Sequence, residues 1–108
     1  MDRGEKNGQG EIATIDTLPR LVNIEQKVAS DTGVAFFNTF QAMGGPGTMG
    51  QWYQAEPRLV GGDFIHPMPA GARIVGNLLY QALFDGYNQF KVRRMQEKFA
   101  TILPAPPK

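Results

Sequence analysis

The stretch that decides the fold class reads Val34-Ala35-Phe36-Phe37-Asn38-Thr39-Phe40. It is short, aromatic and β-branched, with little alternation between apolar and polar positions, as is typical of a strand covered on both faces in a parallel sheet. Residues 12 to 15 are compatible with a second, shorter strand. A buried parallel strand needs neighbours on its edges, and a two-stranded sheet is marginal. We therefore expect a mostly helical α/β chain whose sheet is either very small or is completed by another polypeptide.

Helical patterns flank this stretch on both sides. Upstream, Thr17 is a plausible N-cap and Gly33 supplies a C-terminal stop. Residues 41–62 are rich in glycine and proline and predict a long loop with one helical turn. From Pro69 onward, apolar residues recur at spacings of three and four, and Gly86 predicts the end of that helix. The apolar positions of this downstream helix are Ala72, Val75, Leu78, Leu79, Ala82 and Leu83.

The bulk composition excludes several classes of function. A chain of 108 residues is long enough for one domain, and a formal net charge of +1 gives no general attraction to nucleic acid. The absence of cysteine excludes disulfides, thiolate catalysis and iron–sulfur clusters, and a single histidine without cysteine argues against zinc. We expect no metal, no cofactor and no membrane span, and the N-terminal residues contain no signal peptide.

Residues Gly61-Gly62-Asp63-Phe64-Ile65-His66-Pro67 form the pattern best suited to chemistry. A carboxylate three residues before the sole histidine could accept a hydrogen bond from Nδ1–H. That bond would fix the imidazole tautomer and leave Nε2 free as a base. The alternative is a surface turn in which Asp63 caps the next helix. On spacing alone the surface turn is the simpler interpretation, because D-x-x-H is a short pattern.

The residues around this pair resemble the last conserved block of the SGNH (GDSL-type) hydrolases. The resemblance rests on Asp63-Phe64-Ile65-His66-Pro67, on Pro69-Ala70-Gly71-Ala72 with the helix that follows, and on residues 33–45 with their glycine loop. It implies the C-terminal portion of a three-layer α/β/α (flavodoxin-like) fold, mostly helical here with one clear strand. Residues 1–108 would then form a single incomplete domain, with a loop over 1–16, the family-like region over 17–90, and a basic helix and Pro-rich tail over 91–108.

The resemblance also assigns roles within a Ser-His-Asp triad. His66 would be the general base and Asp63 the residue that orients it. The family's nucleophilic serine and oxyanion-hole residues belong to blocks that do not occur in this sequence. Ser30, the sole serine, follows a helical pattern without a strand-turn-helix elbow, and Thr48 has no activating context. We therefore expect the chain alone to be inactive.

Three further residues could lie on the substrate side of the site. Gly44 and Gly45 belong to a glycine loop, and Trp52 follows it closely. The alternative for Trp52 is that it anchors this loop to the core. The glycine loop is not a phosphate loop, because no Lys-Ser/Thr pair follows it.

Two functions of different classes follow from these observations. The first is ester hydrolysis, with carbohydrate O-acetyl esters as a substrate class implied by the resemblance, and with the missing N-terminal part of the domain as partner. The second is a non-enzymatic interaction or self-association module, in which an exposed sheet edge and apolar helix faces bind a partner. The resemblance is compatible with export of an intact bacterial protein.

Overall fold

The computed structural model describes residues 1–103 of the chain. It shows a mostly helical α/β chain with a two-stranded antiparallel sheet, so the coarse fold class is confirmed. The Pro-rich tail expected at the C-terminus lies outside the described residues from position 104 onward. The elements in chain order are β1 (Gly4–Lys6), β2 (Ile12–Thr14), α1 (Thr17–Thr32), α2 (Thr39–Ala42), α3 (Thr48–Gln54) and α4 (Pro69–Ile102).

The N-terminal region forms a hairpin rather than the loop predicted over residues 1–16. Strands β1 and β2 pair in antiparallel register. The side-chain oxygen of Asn7 accepts the backbone N–H groups of Gln9 at 2.9 Å and of Glu11 at 3.0 Å. An asparagine that bonds its own backbone two residues on stabilises a turn, and the Asn-Gly pair here is a hairpin signal. The short strand expected near Ile12 is confirmed as β2.

The strand predicted over residues 34–40 is wrong. Helix α1 ends as expected, with Gly33 in the left-handed conformation at φ 72°. Residues 34–38 are then irregular, and α2 begins at Thr39, where the Asn38 side chain accepts the N–H of Gln41 at 2.9 Å. Within the described residues, the backbone amides of positions 35–38 donate no hydrogen bond. A strand is defined by pairing with a neighbour, and the described chain offers none at this position.

Two small clusters form the core. The first contains Trp52 with Met43, Met49 and Val60, and the second contains Leu18, Val22 and Phe40. Helix α4 joins the first cluster through its first turns.

Close approach of α4 depends on Gly71, which is buried. A Cβ atom at this position would collide with the carbonyl oxygen of Leu59 and lie 3.2 Å from the Trp52 ring. The backbone N–H of Met68 also donates to the Leu59 oxygen, at 2.9 Å. The helix therefore starts against the chain that leads into the predicted Asp-His pair.

Helix α4 continues through Gly86, where the sequence predicted its end. Gly86 does not adopt the left-handed conformation that terminates a helix. A glycine inside a helix costs only about 1 kcal/mol relative to alanine, which the helix-forming residues on both sides offset. The basic helix predicted after residue 90 is therefore the distal part of one 34-residue helix. No helix of the described residues is both long and apolar enough to cross a membrane.

Candidate functional site

The candidate site lies on the loop 60–67, which is part of the connection between α3 and α4. Its two ends are joined by an antiparallel bridge between Val60 and Pro67. Inside that bridge, the N–H of Gly61 donates to the carbonyl oxygen of His66 at 2.8 Å. The loop is therefore a closed turn whose backbone brings the side chains at its tip together.

The predicted contact between Asp63 and His66 is present. The Nδ1 atom of His66 lies 2.6 Å from Oδ2 of Asp63. The other carboxylate oxygen, Oδ1, accepts the backbone N–H groups of Ile65 at 3.0 Å and of His66 at 3.1 Å. Both oxygens of the carboxylate are thus engaged, so its position relative to the imidazole is fixed. The surface turn of the alternative interpretation is therefore present, but Asp63 does not cap the next helix, because α4 has Met68 as its N-cap residue and no side-chain cap hydrogen bond.

These hydrogen bonds stabilise the charged form of the carboxylate. The bond from the His66 side chain, followed by those from the backbone N–H groups of His66 and Ile65, lowers the pKa of Asp63 from 3.8 to about 2. At neutral pH the carboxylate is ionised and can only accept hydrogen bonds. In the neutral imidazole the bridging proton then lies on Nδ1, and the lone pair lies on Nε2, where it can act as a base.

The pair is open to water. The side chain of His66 is 79% exposed and that of Asp63 is 48% exposed. In an assembled triad the carboxylate is buried, and exclusion of water strengthens every electrostatic interaction of the site. The arrangement therefore has the connectivity of a relay pair but lacks the cover that an efficient active site has.

Phe64, between the two site residues, has a strained backbone. Its φ of 58° is left-handed, which costs roughly 1–2 kcal/mol for a residue with a Cβ atom. Two contacts hold it there: its ring packs edge to face with the Tyr53 ring, with the centroids 5.0 Å apart, and its carbonyl oxygen accepts the N–H of Gly4 at 3.0 Å. Strain of this kind persists where surrounding structure enforces it. The N-terminal hairpin and α3 therefore support the turn that presents His66.

This support could not be foreseen from the loop predicted over residues 1–16. Asp2 is 1% exposed, and its carboxylate accepts the N–H of Met49 at 2.8 Å and the hydroxyl of Thr14 at 3.1 Å. It thereby ties the chain start to α3. The Asn-Gly turn was the available signal for the hairpin, whereas nothing in the sequence indicated that Asp2 is buried.

The three residues predicted on the substrate side lie in the core or in a hydrogen-bonded turn. Trp52 is 7% exposed in the core, so it offers little surface to a ligand. The amide of Gly44 donates to Gln41 at 3.1 Å and that of Gly45 donates to Phe40 at 2.9 Å. Both amides are engaged in the turn after α2, which leaves neither of them free to stabilise an oxyanion.

A nucleophile is not positioned beside His66. Across residues 1–103, Asp63 is the one side chain that hydrogen-bonds to the imidazole. Thr48 is 2% exposed, and its hydroxyl donates to the carbonyl oxygen of Gly45 at 2.6 Å. Ser30 lies on the exposed last turn of α1. The described part of the chain therefore holds a base and its orienting carboxylate without a hydroxyl to deprotonate.

A shallow depression of about 560 Å³ adjoins the carboxylate side of the pair. Arg3, Asp16 and Thr17 line it together with Asp63 and Ile65. Its wall combines a cation, carboxylates and a hydroxyl, which are groups that hydrogen-bond to polar ligands. Among the described residues, no group of three or more histidine, cysteine or acidic side chains could hold a metal ion.

Comparisons with known proteins define no class for this chain. No match to a protein-family model, to a curated protein or to a solved structure was found. The Asp63–His66 geometry and the surfaces around it are therefore the features that indicate a function.

Proposed function

We propose that this chain is the C-terminal part of an SGNH-type serine hydrolase with a three-layer α/β/α fold, and that it supplies the Asp63–His66 pair of a Ser-His-Asp triad. The 2.6 Å contact between Nδ1 and Oδ2 is the observation that carries the proposal. It provides the tautomer and the free Nε2 that a general base requires. The nucleophile and the oxyanion donors belong to a complementary segment outside this chain.

The reaction would proceed by acyl transfer. A serine hydroxyl of the complementary segment attacks the ester carbonyl while its proton passes to Nε2 of His66. Ionised Asp63 stabilises the imidazolium, which then protonates the leaving alkoxide as the ester C–O bond breaks. Water next attacks the acyl-enzyme, gives one proton to Nε2, and releases the carboxylic acid as the serine regains that proton.

The amount of exposed surface supports a missing segment. The chain exposes 8259 Å², whereas a self-contained monomer of 11.9 kDa is expected to expose about 5900 Å². On α1, Leu21 is 50%, Ile24 57% and Val28 54% exposed. Apolar faces of this extent are typical of surfaces that pack against further structure.

The position of residues 34–37 supports a sheet as that structure. One groove of about 470 Å³ separates this segment from Ile24 and Val28 of α1. A second, of about 350 Å³, separates it from Leu79 and Leu83 of α4. The segment therefore lies between two apolar grooves, and the amides of its residues 35–37 donate to no backbone partner in the described chain. A neighbouring strand would satisfy those amides and fill the grooves.

The substrate class of this proposal is an ester, with carbohydrate O-acetyl esters as the favoured group by family resemblance. The depression beside Asp63 agrees with a hydroxyl-rich alcohol part, because Arg3, Asp16 and Thr17 can donate and accept hydrogen bonds there.

The rival function is an interaction or self-association module without catalysis. The exposed faces of α1 and α4 suit both functions equally. A docking surface, however, has no need for an ionised carboxylate held 2.6 Å from an imidazole on a closed turn. That pair favours the hydrolase.

The test is complementation of this chain with a polypeptide that carries the family's Gly-Asp-Ser block and its oxyanion blocks. We expect hydrolysis of p-nitrophenyl acetate to appear in the mixture and to be absent from each part alone. Asp63→Asn should lower kcat by roughly 10⁴-fold, because it favours the wrong tautomer of His66. His66→Gln should lower it at least as far.

Asp31→Asn is the matched control, since Asp31 is also an exposed aspartate with a cationic neighbour, Lys27. Its activity should equal that of the unmodified chain. Binding of the two parts without any ester hydrolysis would favour the interaction module. His66-dependent turnover by the isolated chain would contradict the statement that the nucleophile lies elsewhere.

A further inference from the structure

The distal part of α4, residues 84–102, extends beyond the body of the protein. Neither hydrophobic cluster includes a residue of α4 after Leu78. From Leu83 to the end of the described chain, every residue except Asn88 is exposed. The molecule measures 70 Å in its longest direction and 29 Å in the next. This part of the helix is thus available to contact something outside the body.

An apolar row runs along this distal part. Its members are Val92, Met95, Phe99 and Ile102, at spacings of three, four and three residues, which place them on one helical face. The exposed fraction rises from 52% at Val92 to 78% at Ile102. Single apolar residues scattered over a surface are common and need no explanation. Four exposed apolar residues on one helical face are a larger apolar surface than that.

A cationic row flanks the apolar one. Lys91, Arg94 and Lys98 follow each other at spacings of three and four residues on the adjacent side of the helix. Arg94 has a weak contact with Glu97, at 3.9 Å. Residues 91–102 contain four basic residues and one acidic residue, a net charge of +3, so the rest of the chain carries −2 of the total of +1. The positive charge of the protein is therefore concentrated on this helix.

The apolar and cationic rows together indicate which kind of partner the distal part of α4 binds. Antiparallel pairing with a second copy through the apolar rows would bring the two cationic rows close together, and like charges repel. The apolar row is also only about 16 Å long, which is short for a stable protein interface of about 800 Å² per partner. A surface that is both apolar and negatively charged satisfies both rows at once.

We propose that the distal part of α4 is an interfacial helix that binds membranes containing anionic phospholipids. The helix would lie in the plane of the surface, with its apolar row buried ~5–10 Å into the boundary between headgroups and acyl chains. Lys91, Arg94 and Lys98 would then contact lipid phosphates. Such binding would hold the Asp63–His66 loop near the membrane without any segment that crosses it.

The test measures co-sedimentation of the full 108-residue chain with vesicles. We expect binding to vesicles of equimolar phosphatidylcholine and phosphatidylglycerol and little binding to phosphatidylcholine alone. The triple variant Lys91→Gln, Arg94→Gln, Lys98→Gln should lower the partition coefficient roughly 100-fold, because each lost cation weakens attraction to the anionic surface. Met95→Ser with Phe99→Ser should also lower it, since it removes apolar area from the row.

The matched control is the triple variant Arg20→Gln, Lys27→Gln, Arg73→Gln, which loses the same charge from exposed positions elsewhere. It should bind like the unmodified chain, and circular dichroism should show unchanged helix content in all variants. Equal binding to both vesicle types, or an equal loss in both triple variants, would overturn the proposal. Binding to heparin that survives Met95→Ser with Phe99→Ser, without vesicle binding, would also overturn it and indicate a soluble polyanionic partner.

Discussion

At the scale of single residues, the titration of Asp63 is the sharpest consequence of the loop geometry. The His66 side chain is the largest cause of the lowered pKa of Asp63, followed by two backbone N–H groups. His66→Gln should therefore raise the pKa of Asp63 from about 2 toward 3.8, and stop short of it because the backbone bonds remain. Carboxyl ¹³C chemical shifts measured against pH would give both values. Lys27→Gln, a substitution on α1, should leave the Asp63 titration unchanged.

The sign of the pH effect follows from the direction of the shift. A carboxyl whose native pKa is lowered stabilises the folded loop above pH 3.8, and that contribution is lost as pH falls toward about 2. The amides of Ile65 and His66 should therefore lose protection from hydrogen exchange, relative to the intrinsic rate, over this acidic range. Protection that stays constant from pH 5 to about pH 2 would contradict the carboxylate's role in closing the turn.

The Asp63–His66 contact could be predicted from residue spacing, but its exposure could not. A D-x-x-H pattern between glycines and a proline requires only a local turn, and local turns are encoded by neighbouring residues. Whether His66 is covered depends on segments far away in the sequence or outside the chain. The left-handed Phe64 was not predictable either, because it depends on the distant Gly4 and on Tyr53.

At the scale of elements, helices could be predicted from the sequence more accurately than the pairing of strands. The end of α1 at Gly33 and the start of α4 at Pro69 are confirmed, because caps and terminal prolines act within one turn. The strand over 34–40 is wrong, since its β-branched and aromatic residues favour a strand without supplying a neighbour to pair with. The stop at Gly86 is wrong because a glycine ends a helix only in the left-handed conformation.

Docking of α4 against the loop should depend on Gly71. Gly71→Ala places a methyl group against the carbonyl oxygen of Leu59 and near the Trp52 ring. We expect it to lower the free energy of unfolding by about 1–3 kcal/mol, the usual cost of overpacking, measured from the midpoint of urea unfolding. Gly76→Ala is the matched control on the same helix, because a Cβ there meets no atom within 4 Å.

That control should raise the free energy of unfolding by roughly 0.5–1 kcal/mol, since alanine favours a helix more than glycine does. Equal stabilisation by Gly71→Ala and Gly76→Ala would show that α4 does not pack against Leu59 in solution.

At the scale of the whole molecule, the chain is more extended than a compact domain of its length. Its radius of gyration is 19.9 Å, against about 13 Å expected for a compact domain of this length. Its core consists of two small clusters, while the faces of α1 and α4 remain open. The proposed hydrolase accounts for all three open features together: the unpaired amides of residues 35–38, the grooves on either side of them, and the uncovered His66.

Self-association of the isolated chain should follow from these open faces. Burial of apolar surface contributes about 25 cal/mol per Å², so exposed Ile24 and Val28 on α1 favour contact between copies. Light scattering should show oligomers of the unmodified chain, and Ile24→Glu with Val28→Glu should shift the population toward monomer. Asn23→Glu with Gln26→Glu adds the same charge to exposed polar positions of α1 and should leave the oligomers in place.

Addition of the complementary hydrolase segment should convert the oligomers into a one-to-one complex, because the strand that the segment supplies covers the same face of α1. A monomeric chain that melts cooperatively by itself would show that α1 needs no cover, and the argument for a missing sheet would fail with it.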